Sequence, residues 1–449
     1  MTAHRSSARF LRRLPLAAAL SLALAGASQA QSLKDMYDMA RGHDAAYLSA
    51  RAQYEANLAR AEQGKAALLP QVGLNVEASR NDREVTPRSN SSFSGNFSGR
   101  TLGLRAVQPI YRPANLASYK QSQKSLELAS ATLTQAEQDL IVRLSQAYFD
   151  ALTAKDSLTF VKAQKAAVSE QLASAKRNFE VGTATITDTR EAQARFDIVS
   201  AQEIAAENDL RVKTLALELL VGKSGLQPFG IKASTSLPTL EGKTMDAWLA
   251  QSEQVHPALQ LARSNLEIAK LETEKATAGH KPTVDLSLEQ GQTKNPFGPI
   301  TGTDQTINTT SAKVILSLPI YAGNATQNRV RETVALEEKA RLDLESAQRQ
   351  VAQATRTAYL GLQSGLGQVK AYEAAEASSQ SALEANKLGY QVGVRINIDV
   401  LNSQSQLFQT KRDLAKARYD VLVGQLRLRQ AAGVLKSEDL QGINALLAP

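Results

Sequence analysis

The side chains best suited to catalysis or metal binding are four histidines, His4, His43, His256 and His280, and they are scattered along the chain. None stands at metal-ligand spacing from another, so no metal is expected. Cysteine is absent, which excludes thiolate chemistry, disulfides and a lipid-anchoring cysteine together. Val221-Gly-Lys-Ser224 has the end of a phosphate-binding loop, but Leu217 occupies the position where that motif needs its first glycine. No histidine sits in a pattern for nucleophilic work. The chain therefore reads as no enzyme and as needing no cofactor. What remains of chemical interest clusters at two Val-Gly breaks: Thr187 and Asp188 follow the first, and Tyr390, Arg395 and Asp399 surround the second. A guanidinium and a phenol are directional donors that can hold helices together and still release them. Without further context they read equally as solvated residues at helix ends.

The elements that carry these residues begin with an export signal. Arg5 to Arg13 is basic, Leu14 to Ala27 is apolar, and Ser28-Gln29-Ala30 supplies small residues for cleavage. Cleavage after Ala30 leaves Gln31 as the mature start. The apolar run, about 14 residues, falls short of the ~20 that span a bilayer as a helix, and no later stretch is longer. A mature chain that enters a membrane must do so as a closed β-barrel. The formal charge of +8 includes Arg5, Arg9, Arg12 and Arg13 in a signal that holds no acid, so the mature chain carries +4. That is too mild to argue for nucleic acid.

The mature chain is two copies of one unit. Asn178-Phe-Glu-Val-Gly182 recurs 211 residues later as Gly389-Tyr-Gln-Val-Gly393. The same offset carries Asp188 onto Asp399, Gln193 onto Gln404, Gly222 onto Gly433 and Ala147-Tyr148 onto Ala358-Tyr359, while His43 and His256 stand 213 apart. This divides the chain into the signal (1–30), a first repeat (31–222), a Gly/Ser/Pro/Lys-rich connection (223–244), a second repeat (245–435) and a tail (436–449). Each repeat reads as helix, two strands, a very long helix and a further helix. In the first, the helices are expected over Ser32–Leu68, Ala114–Phe179 and Asp188–Leu220. Leu126, Leu133, Leu140 and Ala147 recur every seven residues, as do Leu344, Val351 and Ala358, which is coiled-coil packing. The long helix, some 66 residues, would extend about 100 Å and the shorter ones ~54 and ~50 Å. Two short helices end to end thus match one long helix, an arithmetic that fits a wall rather than a globule.

The strands alternate. Val72, Leu74, Val76 and Ala78 face one way and Gly73, Asn75, Glu77 and Ser79 the other; Leu102, Leu104 and Ala106, Val284, Leu286 and Leu288, and Ala312, Val314, Leu316 and Leu318 repeat the pattern. A tilted barrel strand reads this way, and so does a soluble sheet with one wet face. Export and four such strands favour the barrel. Four strands cannot close one, so several chains must contribute. Asn81–Gly99 and Gln292–Thr310, rich in Ser, Asn, Thr and Gly, are expected to be outward loops.

These segments resemble the TolC family of outer-membrane efflux proteins over essentially the whole mature chain. The resemblance is carried by Leu68-Leu-Pro70, Pro109-Ile-Tyr111, Leu318-Pro-Ile-Tyr321, Ala147-Tyr-Phe149, Val181-Gly-Thr-Ala-Thr-Ile-Thr-Asp188 and Tyr390-Gln-Val-Gly-Val-Arg-Ile-Asn-Ile-Asp399. It implies an α-dominated fold in which a homotrimer forms a 12-stranded transmembrane β-barrel continuous with a long periplasmic α-helical barrel. It implies an outer-membrane export duct, for efflux or type I secretion of small molecules or proteins, that works with a periplasmic adaptor and an inner-membrane transporter. The resemblance also implies gate links of Arg395 to Thr187 and Tyr390 to Asp188, and a ring of Asp399 carboxylates on the axis. The family often has a second Asp three residues later; here it is Asn402, which halves the expected ring charge. The competing class is a secreted coiled-coil structural or adhesion protein that never enters a membrane.

Overall fold

The computed structural model describes residues 31–85, 93–232, 242, 244–295 and 305–448. The expected signal, the two hairpin tips and residues 233–241 and 243 of the connecting segment lie outside the described residues. Helices α1 (Leu33–Arg41) and α2 (Ala45–Ala66) lead into strands β1 (Gln71–Val85) and β2 (Phe93–Tyr111), then helices α3 (Pro113–Glu180) and α4 (Ile186–Val221). A short strand β3 (Gly230–Ile231) precedes the second pass: α5 (Met245–Val255), α6 (Pro257–Thr277), β4 (Thr283–Lys294), β5 (Thr306–Ser317), α7 (Ala325–Gln391) and α8 (Asn397–Ala431). Helix α9 (Asp439–Asn444) and strand β6 (Leu447–Ala448) follow, and β6 pairs with β3.

Local sequence sets the helix lengths. Within α3 there is no glycine, and its one proline sits in the first turn, where the missing amide costs nothing. Nothing interrupts it for 68 residues, about 100 Å. It ends where Gly182 turns left-handed (φ 79°), and α7, 67 residues long, ends the same way at Gly393 (φ 81°). The expected single helix from Ser32 to Leu68 is corrected by the structure. It breaks at Gly42–Asp44, where the Asp44 carboxylate accepts the Tyr47 amide at 2.8 Å and starts α2. The second repeat breaks at His256, whose Nδ1 accepts the Ala258 amide at 3.1 Å ahead of Pro257.

Both breaks exist because a third helix end fills them. Gly222 caps α4 with φ 74°, and a Cβ there would lie 2.4 Å from the His43 ring. Gly433, past the end of α8, has φ 73°, and its Cβ would lie 2.4 Å from the His256 Cα. The pairs that mark the duplication in the sequence are thus the joints of the fold. At one joint α4 abuts α2, and at the other α8 abuts α6.

In the layer next to the strands α2 packs on α3, α3 on α6 and α6 on α7; in the far layer α4 packs on α3, α3 on α8 and α8 on α7. The result is a wall four helices wide whose edges are α7 on one side and α2 above α4 on the other. Its thickest core lies at mid-height, where Leu140, Leu144, Tyr148 and Phe149 of α3 meet Met36 and Tyr37 of α1, Leu422 and Leu426 of α8, and Leu440 of α9. Because α3 is covered by neighbours on two sides, it shows no single apolar face.

The strands form one antiparallel sheet in the order β1-β2-β4-β5. Register Val76↔Leu102, Ala106↔Leu288 and Leu286↔Val314 stacks the apolar residues on one face, where Val72, Leu74, Val76, Val314 and Leu316 are all exposed. The expected loops are shorter than their composition suggested: strand pairing continues to Val85↔Phe93 and Lys294↔Thr306. Ladder hydrogen bonds are made by the backbone, so polar side chains on both faces extend a hairpin beyond an apolar band without cost.

Candidate functional site

Two regions carry the polar side chains that a duct would use. The first is the face of the sheet opposite the apolar band. There Arg105 of β2 lies 3.3 Å from Glu289 of β4, and Lys313 of β5 donates to the same carboxylate at 3.1 Å. At the helix end of the sheet the Arg112 guanidinium grips Asp285 with two bonds of 2.7 and 2.5 Å. These pairs cross between neighbouring elements, so Glu289 and Asp285 are each opposed by a cation from an adjacent strand or strand end. The register that created them could not be read from single strands.

The second region is the far end of the wall, where the α3–α4 and α7–α8 hairpins turn. The two turns share one backbone. Thr183 and Ala184 amides both bond to the Asn178 carbonyl (2.8 and 3.1 Å), as Val394 and Arg395 amides bond to that of Gly389 (2.9 and 3.1 Å). A glycine is needed at 182 and 393 for the positive φ. A cleft of about 730 Å³ lies between the turns, lined by Asn178, Asp188, Lys387, Tyr390, Arg395 and Asn397 among others.

The sequence-predicted residues fall here, with the following partners inside one chain. Asp188 is engaged in a capping box: its carboxylate accepts from the Thr185 amide and hydroxyl (2.9 and 2.7 Å), and its own amide donates to the Thr185 hydroxyl (3.2 Å). Thr187 is exposed, one residue earlier on α4. The Tyr390 hydroxyl accepts from Asn178 Nδ2 at 3.4 Å while its ring packs against Leu383, Val400 and Leu407. Arg395 is exposed and lies 3.7 Å from Asp399, four residues on. Its side chain crosses Gly389, where a Cβ would come within 2.7 Å of it. Tyr390, Asp188 and Arg395 thus share the cleft, whereas Thr187 is exposed beside it. Asn402 accepts a bond from Arg195 of α4 at 2.8 Å, tying the two hairpins together.

One residue that no sequence pattern marked is central to this end. Asn397, the first residue of α8, is completely buried and bonds to the Asp188 carbonyl and to Gln171 of α3. Its repeat mate is Ile186, so a polar residue replacing an apolar one at a matched position was the available signal.

The tunnel wall, the one-sided apolar band and the paired Val-Gly turns find their match among known proteins. The outer membrane efflux protein family covers residues 36–223 and 248–434, one segment for each repeat. The chain belongs to that family. Among its relatives, outer membrane protein TolC of Vibrio cholerae is 33% identical over 96% of this chain and 98% of its own length. The alkaline protease secretion protein AprF of Pseudomonas aeruginosa is 30% identical over 93% of this chain and 87% of its own. The CmeC outer membrane channel of Campylobacter jejuni superposes with a TM-score of 0.80 at 16% identity, covering 94% of this chain and 91% of that one, which shows the shared fold. As an outer membrane efflux protein, this chain is a channel of the efflux and type I secretion kind, and the filament alternative falls away. The relatives' names are those of channel and secretion proteins rather than enzymes. No helix among the described residues is long and apolar enough to cross a membrane.

Proposed function

We propose that three copies of this chain close into one duct, a 12-stranded barrel in the outer membrane continuous with a helical tunnel reaching into the periplasm. One observation carries the reading: the same two edges are open at every level. The sheet ends at β1 and β5, and the wall ends at α2 over α4 and at α7. Strand β1 continues from α2 and β5 continues into α7, so a rotation that pairs β5 with the next copy's β1 also brings α7 beside its α2 and α4. Such head-to-tail contacts close into a ring when the rotation allows. Exposed apolar residues wait on the edge helix α4, among them Ile204, Leu215 and Leu219. Tyr111 and Tyr321, exposed at the helix end of the strands, suit the interfacial girdle of such a barrel.

At the closed end, Arg395 bonds Thr187 and Tyr390 bonds Asp188 across neighbouring hairpins, and three Asp399 carboxylates ring the axis. Exposure of Arg395 and Thr187, and the placing of Tyr390 and Asp188 in one cleft, support these roles. Exposed polar links contribute ~1 kcal/mol each. Six in a trimer give ~6 kcal/mol, which leaves the open state below about one in ten thousand when they act together. A periplasmic adaptor and an inner-membrane transporter supply the bias that opens it. The cargo follows the transporter: a protein when the partner is of the type I kind, as AprF's name indicates for its own system, or a small molecule in an efflux pump.

The test is a mass and a current. The mature protein in detergent should weigh three chains and, in planar bilayers, pass a small, rarely opening current. A single-chain, detergent-independent particle that conducts nothing would end the proposal. Crosslinking in cells followed by pull-down would identify the adaptor.

A further inference from the structure

Where the two hairpins pack on each other, the contact is poorly satisfied. Gln164 of α3 and Gln404 of α8 are buried, yet their side-chain oxygens accept no hydrogen bond among the described residues. A buried acceptor without a donor weakens the contact that covers it, and water serves it once the helices part. Asn397 is different. It is completely buried and both ends of its carboxamide are engaged: Nδ2 donates to the Asp188 carbonyl at 3.3 Å, and Oδ1 accepts from Gln171 Nε2. One side chain thereby joins the first turn of α8 to α4 and to α3. The first repeat has nothing like it, since the matched Ile186 is apolar and half exposed.

We propose that Asn397 is an intrachain clasp that holds the α7–α8 hairpin against the α3–α4 hairpin when the tunnel is closed. The clasp rests on the gated reading above and deepens it. Arg395 and Tyr390 act between hairpins in contact with water, where a broken bond is replaced by solvent at once. Asn397 is completely buried, so α8 cannot begin to leave without stranding Gln171 and the Asp188 carbonyl. Loss of these bonds is felt before water arrives, which makes separation abrupt rather than gradual.

The experiment uses the purified mature protein in planar bilayers. Asn397→Leu removes both bonds while keeping the branching at Cγ, and Gln171→Leu removes one partner. Asn397→Leu should raise open-state occupancy at least about fivefold, the equivalent of one net hydrogen bond. The double variant should be no more open than Asn397→Leu alone, because both changes delete one contact. Oligomers that survive detergent electrophoresis show that the variants assemble; should Asn397→Leu fail to assemble, Gln171→Leu is judged by the same current. Wild-type occupancy in an assembled variant overturns the clasp, and so does full additivity of the two changes. Arg395→Ser runs alongside. A rise with Arg395→Ser and none with the other two rejects the clasp alone, while three unchanged currents reject the gated reading as well.

Discussion

The two repeats are built alike and finished differently. At the joint of the first, Gly222 closes on the ring of His43, a side chain that can swing; at the joint of the second, Gly433 closes on the backbone of His256. Asp44 caps α2 and is itself held by Arg143 through bonds of 3.0 and 3.1 Å, whereas His256 caps α6 with a neutral ring nitrogen. At the tip, Thr185 and Asp188 form a capping box, but their repeat mates are Ile396 and Asp399, and α8 begins without a side-chain cap. A free Asp399 then turns to Arg395. The duplication supplied one scaffold, and divergence left the first tip with a capping box that the second lacks.

The joints should separate most strongly. Gly433→Ala forces a Cβ onto backbone in a left-handed conformation and should cost about 3 kcal/mol or more, seen as loss of the detergent-resistant oligomer. Gly222→Ala should cost roughly half as much, because the His43 ring can rotate away. Equal losses would mean that the two joints are equivalent after all.

Next in size is the gate. Arg395→Ser with Tyr390→Phe removes the guanidinium and the phenol, which the first tip lacks at its matched residues Ala184 and Phe179. About 2 kcal/mol per chain should be lost from the closed state, read as a higher single-channel conductance. Unchanged conductance would remove both residues from the gate.

The caps should respond to acid in different windows. Hydrogen bonds from Arg143 hold the Asp44 carboxyl below its ordinary range, so its contribution is present above the normal aspartate pKa and is lost only as pH falls through the lowered one. Burial lowers the pKa of His256, so the unfolded chain takes up a proton below about pH 6.5 that the folded chain refuses. Stability is therefore full above that point and declines as pH falls toward the folded pKa. Denaturation midpoints at pH 7.5 and 5.5 should show this slope weakened by His256→Asn, which keeps a capping oxygen, and untouched by Asp44→Asn.

The smallest effect sharpens the tip. Thr185→Val should destabilise the first turn by about 1 kcal/mol, and Ile396→Thr should stabilise the second by a similar amount by offering Asp399 a capping box. Hydrogen exchange at the amides of residues 397–399 should slow in the latter variant. No slowing would mean that the missing cap does not set the stability of this turn.

Much of this was legible in the chain. The long helices, their heptads, the Val-Gly turns and the alternating strands depend on neighbours a few residues away, and a repeated sequence repeats them. The residues Thr187, Asp188, Tyr390, Arg395 and Asp399 were placed at the tips because both turns are local. The break inside the first helix was not visible, since Gly42 and His43 are ordinary until another helix end, at Gly222, arrives against them. Loop lengths were misjudged because strand pairing is a property of two backbones and is blind to polar side chains.

Sequence alone determined that the chain is doubled and made of elements too long and too one-sided to fold into a globule, because period and composition express the geometry of single elements. Only the tertiary structure decided which ends meet, which charges on the wet face of the sheet oppose each other, and that Asn397 is buried between three helices. Those facts depend on register and on the packing of segments far apart in the chain, which no local pattern encodes.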